Sequence, residues 1–267
     1  MNPESELDLP NDEAEAQMSQ MSRRSFLWAA VAGAGSLAGL RWIDTRRLDG
    51  GIPWPLRRVL DTQGEIARDL YSTARLAPTF PVSMAREPRA NGDIGLGEDF
   101  DPSQWKLMVS GLYSGADLEL TLAEIKKLPR TEIVTELKCI EGWSVIVHWA
   151  GVKVSDFMTK YPPATLSGEA PNLTKKPQDL MPYVGAQTPD GQYFVGLDIE
   201  SVLHPQTLLC YEMNGKPLTL EHGAPLRLVT PTKYGIKHLK RLGSLQFTGI
   251  KPEDYWAQQG YDWYSGH

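Results

Sequence analysis

The spacing of hydrophobic positions changes along the chain, and each change predicts a different element. Residues 1–20 carry Glu4, Glu6, Asp8, Asp12, Glu13 and Glu15, with no basic residue and few apolar ones. So little apolar surface does not offset the entropy of ordering, and this start is expected to be unordered. Phe26 to Leu40 is an uncharged run of 15 residues. A spanning helix needs roughly 17–25 apolar residues, so the run is short for one. Leu60, Ile66, Leu70 and Tyr71 recur at near-helical spacing and predict a helix. Ala77-Pro78-Thr79-Phe80-Pro81 ends it, and the Pro-, Gly- and Asp-rich stretch to Gln104 reads as irregular. Loops this long in compact domains are commonly functional.

Beyond that loop the period shortens. Trp105–Gly111, Thr131–Lys138, Trp143–Trp149, Tyr183–Gln187 and Arg241–Thr248 read as strands. Ser201–Leu203, Leu208–Tyr211 and Leu226–Val229 are short apolar segments between turns. Leu120–Leu128 is expected as a helix with Thr121 as N-cap and Glu124 completing a capping box. Val154–Tyr161 is a second short helix, and Ala164–Leu180 a polar insertion. Pro189-Asp190-Gly191 and Asn214-Gly215 mark turns. The pattern is mixed α+β, with many short strands and long loops.

Ser22-Arg23-Arg24-Ser25-Phe26-Leu27 stands just before the apolar run. Paired arginines followed by Phe-Leu and a weakly hydrophobic stretch match a twin-arginine export signal. That route carries proteins that fold before crossing, often around a cofactor. The expected location is the periplasm, or the outer face of the cytoplasmic membrane if the signal is retained. Ala32-Gly33-Ala34 offers small residues for cleavage, which stays open.

Composition narrows the rest. The 267 residues, 41% hydrophobic and 22% charged, suit one folded domain behind a leader. A net charge of −6 argues against a nucleic-acid partner. With only Cys139 and Cys210, a disulfide scaffold is excluded.

Two places carry candidate chemistry. Cys139 ends a predicted strand, in Leu137-Lys138-Cys139-Ile140-Glu141-Gly142-Trp143. A thiolate there suits a soft metal site, and Lys138 would favour the ionised form. Taken alone, the position reads first as a packed thiol, and half of a Cys139–Cys210 disulfide is a second reading. The second place runs from Glu221 to Arg241. Lys233, Lys237, His238, Lys240 and Arg241 put five basic groups within nine residues. In an acidic chain this cluster calls for an anion such as a phosphate.

Those segments together resemble the sulfite-oxidase superfamily. Cys139-Ile140-Glu141-Gly142-Trp143-Ser144 with Trp149-Ala150-Gly151 is similar to its cysteine segment. Met213-Asn214-Gly215-Lys216-Pro217-Leu218, then His222 to Val229, then Lys233-Tyr234-Gly235-Ile236-Lys237 are similar to its pterin-binding half. Tyr255-Trp256 and Gly260-Tyr261 resemble its end. The resemblance spans roughly residues 77–264 in consistent order.

It implies an α+β molybdopterin-binding oxidoreductase fold with molybdenum and molybdopterin as cofactors. The expected divisions are an acidic start (1–21), the signal (22–40), a linker and helix (41–76) and the molybdopterin-binding domain (77–267). Cys139 would be the catalytic residue and the protein ligand to molybdenum. Thr188, His222, Arg227, Lys237, His238, Leu239 and Lys240 would contact the pterin. An exported member of the family has Asn at the position of His222, and its loop pattern is not matched at 79–92. Arg86 and Arg89 in that loop could bind an anionic substrate.

The implied reaction is two-electron oxygen-atom transfer on a small sulfur-oxo substrate, sulfite-oxidase-like. The alternatives are reduction of S-oxides such as methionine sulfoxide, or a non-catalytic binding protein on the same fold. A Cys139–His148 hydrolase pair is a weaker option. No Cys-x-x-Cys-His haem motif is present. The expected electron partner is therefore a separate protein, a cytochrome or a membrane haem subunit.

Overall fold

The computed structural model describes residues 11–97 and 99–267, with side chains from residue 23 onward. The chain forms two units, with a boundary between Leu56 and Arg57.

The first unit is dominated by α1 (Asn11–Asp44), followed by the two-residue strands β1 (Leu48–Asp49) and β2 (Ile52–Pro53). Residues 11–21, expected to be unordered, are the opening turns of α1. Glu, Ala, Gln and Met between 13 and 18 are strong helix formers. Extending a helix already nucleated by the apolar segment costs little. The expectation for residues 1–10 lies outside the described residues. Within α1, none of the 22 residues Arg23–Asp44 is buried. Among the described residues this is the one helix long and apolar enough to cross a membrane. The uncharged run was too short, but the helix continues through Arg41-Trp42-Ile43 and passes the spanning limit.

The second unit begins inside α2 (Trp54–Asp69), which the spacing of Leu60, Ile66 and Leu70 foretold. A long irregular stretch follows, with one 3₁₀ turn at Val82–Met84. Two sheets then carry the core. The first, entirely antiparallel, is built from β5 (Arg130–Lys138), β6 (Ser144–Lys153), β9 (Leu208–Met213), β10 (Lys216–Pro217) and β11 (Arg227–Val229). Its order is β10-β9-β6-β5, with β11 also pairing β9. The second has the order β4-β3-β12-β7-β8: β3 (Leu107–Ser110), β4 (Leu118–Leu120), β7 (Tyr183–Gln187), β8 (Phe194–Asp198) and β12 (Ser244–Thr248). There β12 runs parallel to β3, and the other pairs are antiparallel.

Short helices fill the connections: α3 (Leu122–Ile125), α4 (Val154–Lys160), α5 (Ile199–Leu203) and α6 (Tyr255–Gln258). Thr121 caps α3 with the reciprocal bond from Glu124, as its spacing indicated. Sequence reading missed β4 and β8. β8 is buried along most of its length and lacks the alternation that marks a half-exposed strand. The apolar segment at 201–203 belongs to α5, whose N-cap is Asp198.

Leu107, Val109, Val152, Leu209, Leu226, Leu245 and Phe247 lie in the main core. β5 and β6 pair from Arg130↔Val152 to Lys138↔Ser144. Their hairpin loop, 139–143, is therefore held at the end of a long rigid ladder. At the β6–β9 pairing the register shifts between Ala150 and Gly151. A Cβ on Gly151 would stand 2.1 Å from the Leu209 carbonyl oxygen, so only glycine permits this approach.

Candidate active site

Cys139 opens the β5–β6 loop. Its N–H donates to the Trp143 carbonyl (2.9 Å), and its own carbonyl accepts from Gly142 (3.1 Å). Gly142 has φ +87°, a left-handed value that glycine adopts at little cost. The turn leaves the Cys139 thiol half-exposed and unbridged. Asn91 Nδ2 lies 3.9 Å from Sγ and donates to Glu141 Oε2 at 3.2 Å. Trp143 Nε1 donates to the same oxygen at 3.0 Å. These two bonds, Trp143's first, hold the Glu141 carboxyl below its usual range.

The facing wall comes from β11 and the segments around it. A 3₁₀ turn at Leu220–His222 ends at Gly223, with φ +93°, and delivers a buried His222. Arg227 follows at the start of β11, also buried. Its guanidinium donates to the carbonyls of His222 (3.1 Å) and His238 (3.2 Å) and lies 4.9 Å from the centre of the Trp149 ring. No carboxylate pairs with it among the described residues, and its Nε has no partner. Burial pushes its pKa down to about 10. Lys240 Nζ donates to the carbonyls of Asn91 (2.8 Å) and Gly92 (3.1 Å), pinning the irregular loop to this wall. Burial, helped by Arg227, pushes Lys240 down to about 8. Burial and then Arg227 hold His238 near 3, so it is neutral. Burial also lowers the pKa of His222, whose Nε2 is 3.7 Å from Glu87 and 3.9 Å from Glu221.

These walls enclose an open pocket of about 790 Å³. Of the residues marked by sequence, it brings together Cys139, His222, Arg227, His238, Lys240 and Arg89. Thr188, Lys237 and Leu239 do not line it. Thr188 is buried, bonded to Asp190 Oδ1 (2.6 Å), and packed where a Cβ on Gly95 would stand. Leu239 lies in the core. Lys237 turns inward, with Nζ 2.5 Å from Asp254 Oδ2 and 2.8 Å from the Gly196 carbonyl.

The basic cluster thus divides. Lys233 is buried on Asp198 (3.4 Å) and over the Tyr264 ring, and Arg241 donates to the Gly97 carbonyl (3.0 Å). Burial makes each inward cation seek its own partner, so the five do not converge on one anion. Lys138 sits 3.9 Å from Glu136 and 3.4 Å from His267 Nδ1 rather than in the pocket. Arg86 bonds local carbonyls of Ser83 and Ala85. The Cys139–Cys210 disulfide is not formed: Cys210 is a free, buried thiol that burial pushes up to about 11. His148 bonds Glu132 (2.9 Å) and does not line the pocket. Sequence reasoning missed Asn91, Ile94, Tyr193 and Trp256, which line the pocket from remote segments. The proline-rich break before the loop was the signal available for the first two.

Comparison with known proteins decides what this pocket belongs to. Residues 95–256 match the oxidoreductase molybdopterin binding domain. The chain belongs to this family. It is a molybdopterin-dependent oxidoreductase, and its cofactor is molybdenum held by molybdopterin. Among relatives, a protein named as protein-methionine-sulfoxide reductase subunit YedZ1 of Azospira oryzae is 36% identical over 74% of this chain and 70% of its own length. The protein-methionine-sulfoxide reductase catalytic subunit MsrP of Xanthomonas campestris is 35% identical over 58% of this chain. The match spans about half of that relative, 48%. The sulfane dehydrogenase SoxCD of Paracoccus pantotrophus matches 68% of this chain and 47% of its own at 20% identity, with a TM-score of 0.49.

The pocket of the molybdopterin oxidoreductase fits its cofactor. A thiolate donor at Cys139 is a soft ligand. The unpaired guanidinium of Arg227, with an orphaned Nε, is matched to an anionic or hydrogen-bonding group.

Proposed function

We propose that this oxidoreductase reduces S-oxides, with methionine sulfoxide in proteins as the substrate class, after export by the twin-arginine route. The observation that carries this reading is that Arg89 is the one pocket cation left for the substrate among the described residues once Arg227 and Lys240 are given to the cofactor. Lys233 and Lys237 are paired away in the core and His238 is neutral, which leaves Arg227, Lys240 and Arg89 as the pocket's cations. Sulfite is a dianion and would need more charge than Arg89 alone supplies. An S-oxide is neutral and needs an apolar wall with one donor. Pro88, Ile94 and Trp143 supply the wall beside Cys139. Arg89, 5.8 Å from the centre of the Trp143 ring, supplies the donor. The names of the relatives point the same way, toward the alternative rather than the sulfite-oxidising reading.

In this reading Cys139 ligates molybdenum, and Arg227, His222, His238 and Lys240 hold the pterin. Thr188, Lys237 and Leu239 support the wall from behind. When bound, the cofactor supplies the two-electron oxygen-atom transfer. Reduction of a sulfoxide takes up two electrons and two protons and releases a thioether and water. The protein orients the S–O group through Arg89, and the loop pinned by Lys240 holds that side of the pocket in place. Electrons come from a separate redox protein, a cytochrome or a membrane haem subunit. The subunit names of the relatives support such a partner.

The test is turnover by cofactor-loaded protein, with methionine sulfoxide and a reduced dye in one arm and sulfite with an electron acceptor in the other. Sulfoxide turnover that is lost in Cys139→Ser, together with its molybdenum, is expected. Sulfite oxidation without sulfoxide turnover would overturn the proposal.

A further inference from the structure

α2 presents two stripes at helical spacing. The inner one, Arg57, Leu60, Gly64, Ala67 and Tyr71, is buried or half-buried within the second unit, to which these residues belong. Arg57 donates to the carbonyls of Ala257 (2.5 Å) and Tyr261 (3.1 Å). A Cβ on Gly64 would stand 3.3 Å from Asp262 and 3.4 Å from Tyr264. This stripe accounts for the helix's attachment to the fold.

The outer stripe is unexplained by it. Val59, Ile66 and Leu70 are 59%, 55% and 69% exposed. They stand at i, i+7 and i+11, with Gln63 between them, and so share one side of the helix. Leu70 stays on the helical path, its N–H donating to the Ile66 carbonyl (3.1 Å). At 1.5 Å per residue the stripe runs roughly 17 Å. Scattered exposed apolar residues are ordinary, but a row along one helix face marks a contact surface.

The chain itself indicates the occupant. Nine residues, 45–53, separate α2 from α1, whose segment Arg23–Asp44 is long and apolar enough to span a bilayer. Nine residues extend at most roughly 30 Å. With α1 in a membrane, the start of α2 stays within that distance of the lipid. Three apolar side chains bind a bilayer weakly when free. Tethering makes the contact intramolecular and raises its effective concentration.

We infer that the outer stripe of α2 lies in the interfacial layer of the membrane, with α1 retained as the anchor. This rests on the export reading of the leader, extended to a leader that is not removed. An amphipathic helix lying in the interface plane is a recognised mode of membrane attachment. The surface is separate from the cofactor pocket, and none of its residues lines it.

The experiment uses the full chain in phosphatidylethanolamine–phosphatidylglycerol vesicles doped with a phospholipid bearing a diazirine in its acyl chain. After photolysis, peptide mass spectrometry locates the adducts. Adducts on α2 at 59–70 as well as on α1 are expected. Val59→Glu, Ile66→Glu and Leu70→Glu together should remove the α2 adducts and leave those on α1, with the circular dichroism spectrum and Tm unchanged. Adducts on α1 alone in the wild type would overturn the proposal while the anchor stands. Adducts on α2 without α1 would sink the anchor and keep the stripe. Adducts on neither would remove both.

Discussion

Asp254 is the residue whose loss the structure prices most clearly. Its carboxylate has three duties. Oδ2 accepts from Lys237 Nζ at 2.5 Å and from the Gly196 N–H at 3.2 Å, and Oδ1 accepts from Ala257 N at 3.0 Å as the N-cap of α6. Both charged partners are fully buried, at 0% and 1% side-chain exposure. Asp254→Ala leaves an ammonium in the core with the Gly196 carbonyl and the Trp263 ring face, 4.9 Å away, to stabilise it. Removing one member of a buried pair costs about 3–5 kcal/mol, and losing an N-cap about 1 kcal/mol. Some of the cap term overlaps with relaxation around Lys237, so the expected total is about 4 kcal/mol. For a unit of this size that lowers Tm by about 8–16 °C. The assay is urea unfolding of the cofactor-free protein followed by tryptophan fluorescence. The double change Lys237→Met with Asp254→Leu is the control. It removes the charges together and should recover about half or more of the loss. A loss below about 1 kcal/mol for Asp254→Ala would refute the reasoning, because the pair could not then be as dry as its burial implies.

Other outcomes follow from named contacts. His238 is held near pH 3 in the fold, against an ordinary value of 6.5. The unfolded chain therefore takes up a proton that the folded chain refuses between those values. Its contribution is intact above pH 6.5 and declines below it, by about 2 kcal/mol at pH 5. In His238→Gln, unfolding at pH 7 and pH 5 should show a correspondingly smaller loss. Gly151→Ala should cost more than about 3 kcal/mol or yield insoluble protein, since its Cβ meets the Leu209 carbonyl at 2.1 Å; a soluble variant of wild-type Tm would contradict the β6–β9 packing. Arg227→Met should weaken cofactor retention by about 10–100-fold, read as molybdenum per chain by elemental mass spectrometry. Full molybdenum in that variant would remove Arg227 from the cofactor contacts.

Local pattern was enough for much of the fold. Alternation from Thr131 to Lys138, the run Tyr183–Gln187 and the Thr121–Glu124 capping box are short-range properties, and the structure reproduces them. β8 escaped because a strand buried on both faces has no alternation to read. The order of motifs around Cys139, His222 and Arg227 marked the cofactor family.

What sequence alone determined was the inventory: a thiol at a strand end, a basic cluster, a proline-rich loop and the elements that carry them. Which of those groups face the pocket was decided only by the tertiary structure. Lys233 and Lys237 read as pocket cations until the fold brings Asp198 and Asp254 to them from 35 and 17 residues away. Asn91 meets Glu141 and Cys139 only once the irregular loop closes over the β5–β6 turn. Helical and strand periods arise from neighbouring residues, so they are written in order along the chain. A buried charge takes whichever partner the packing sets beside it, and linear sequence does not record that distance.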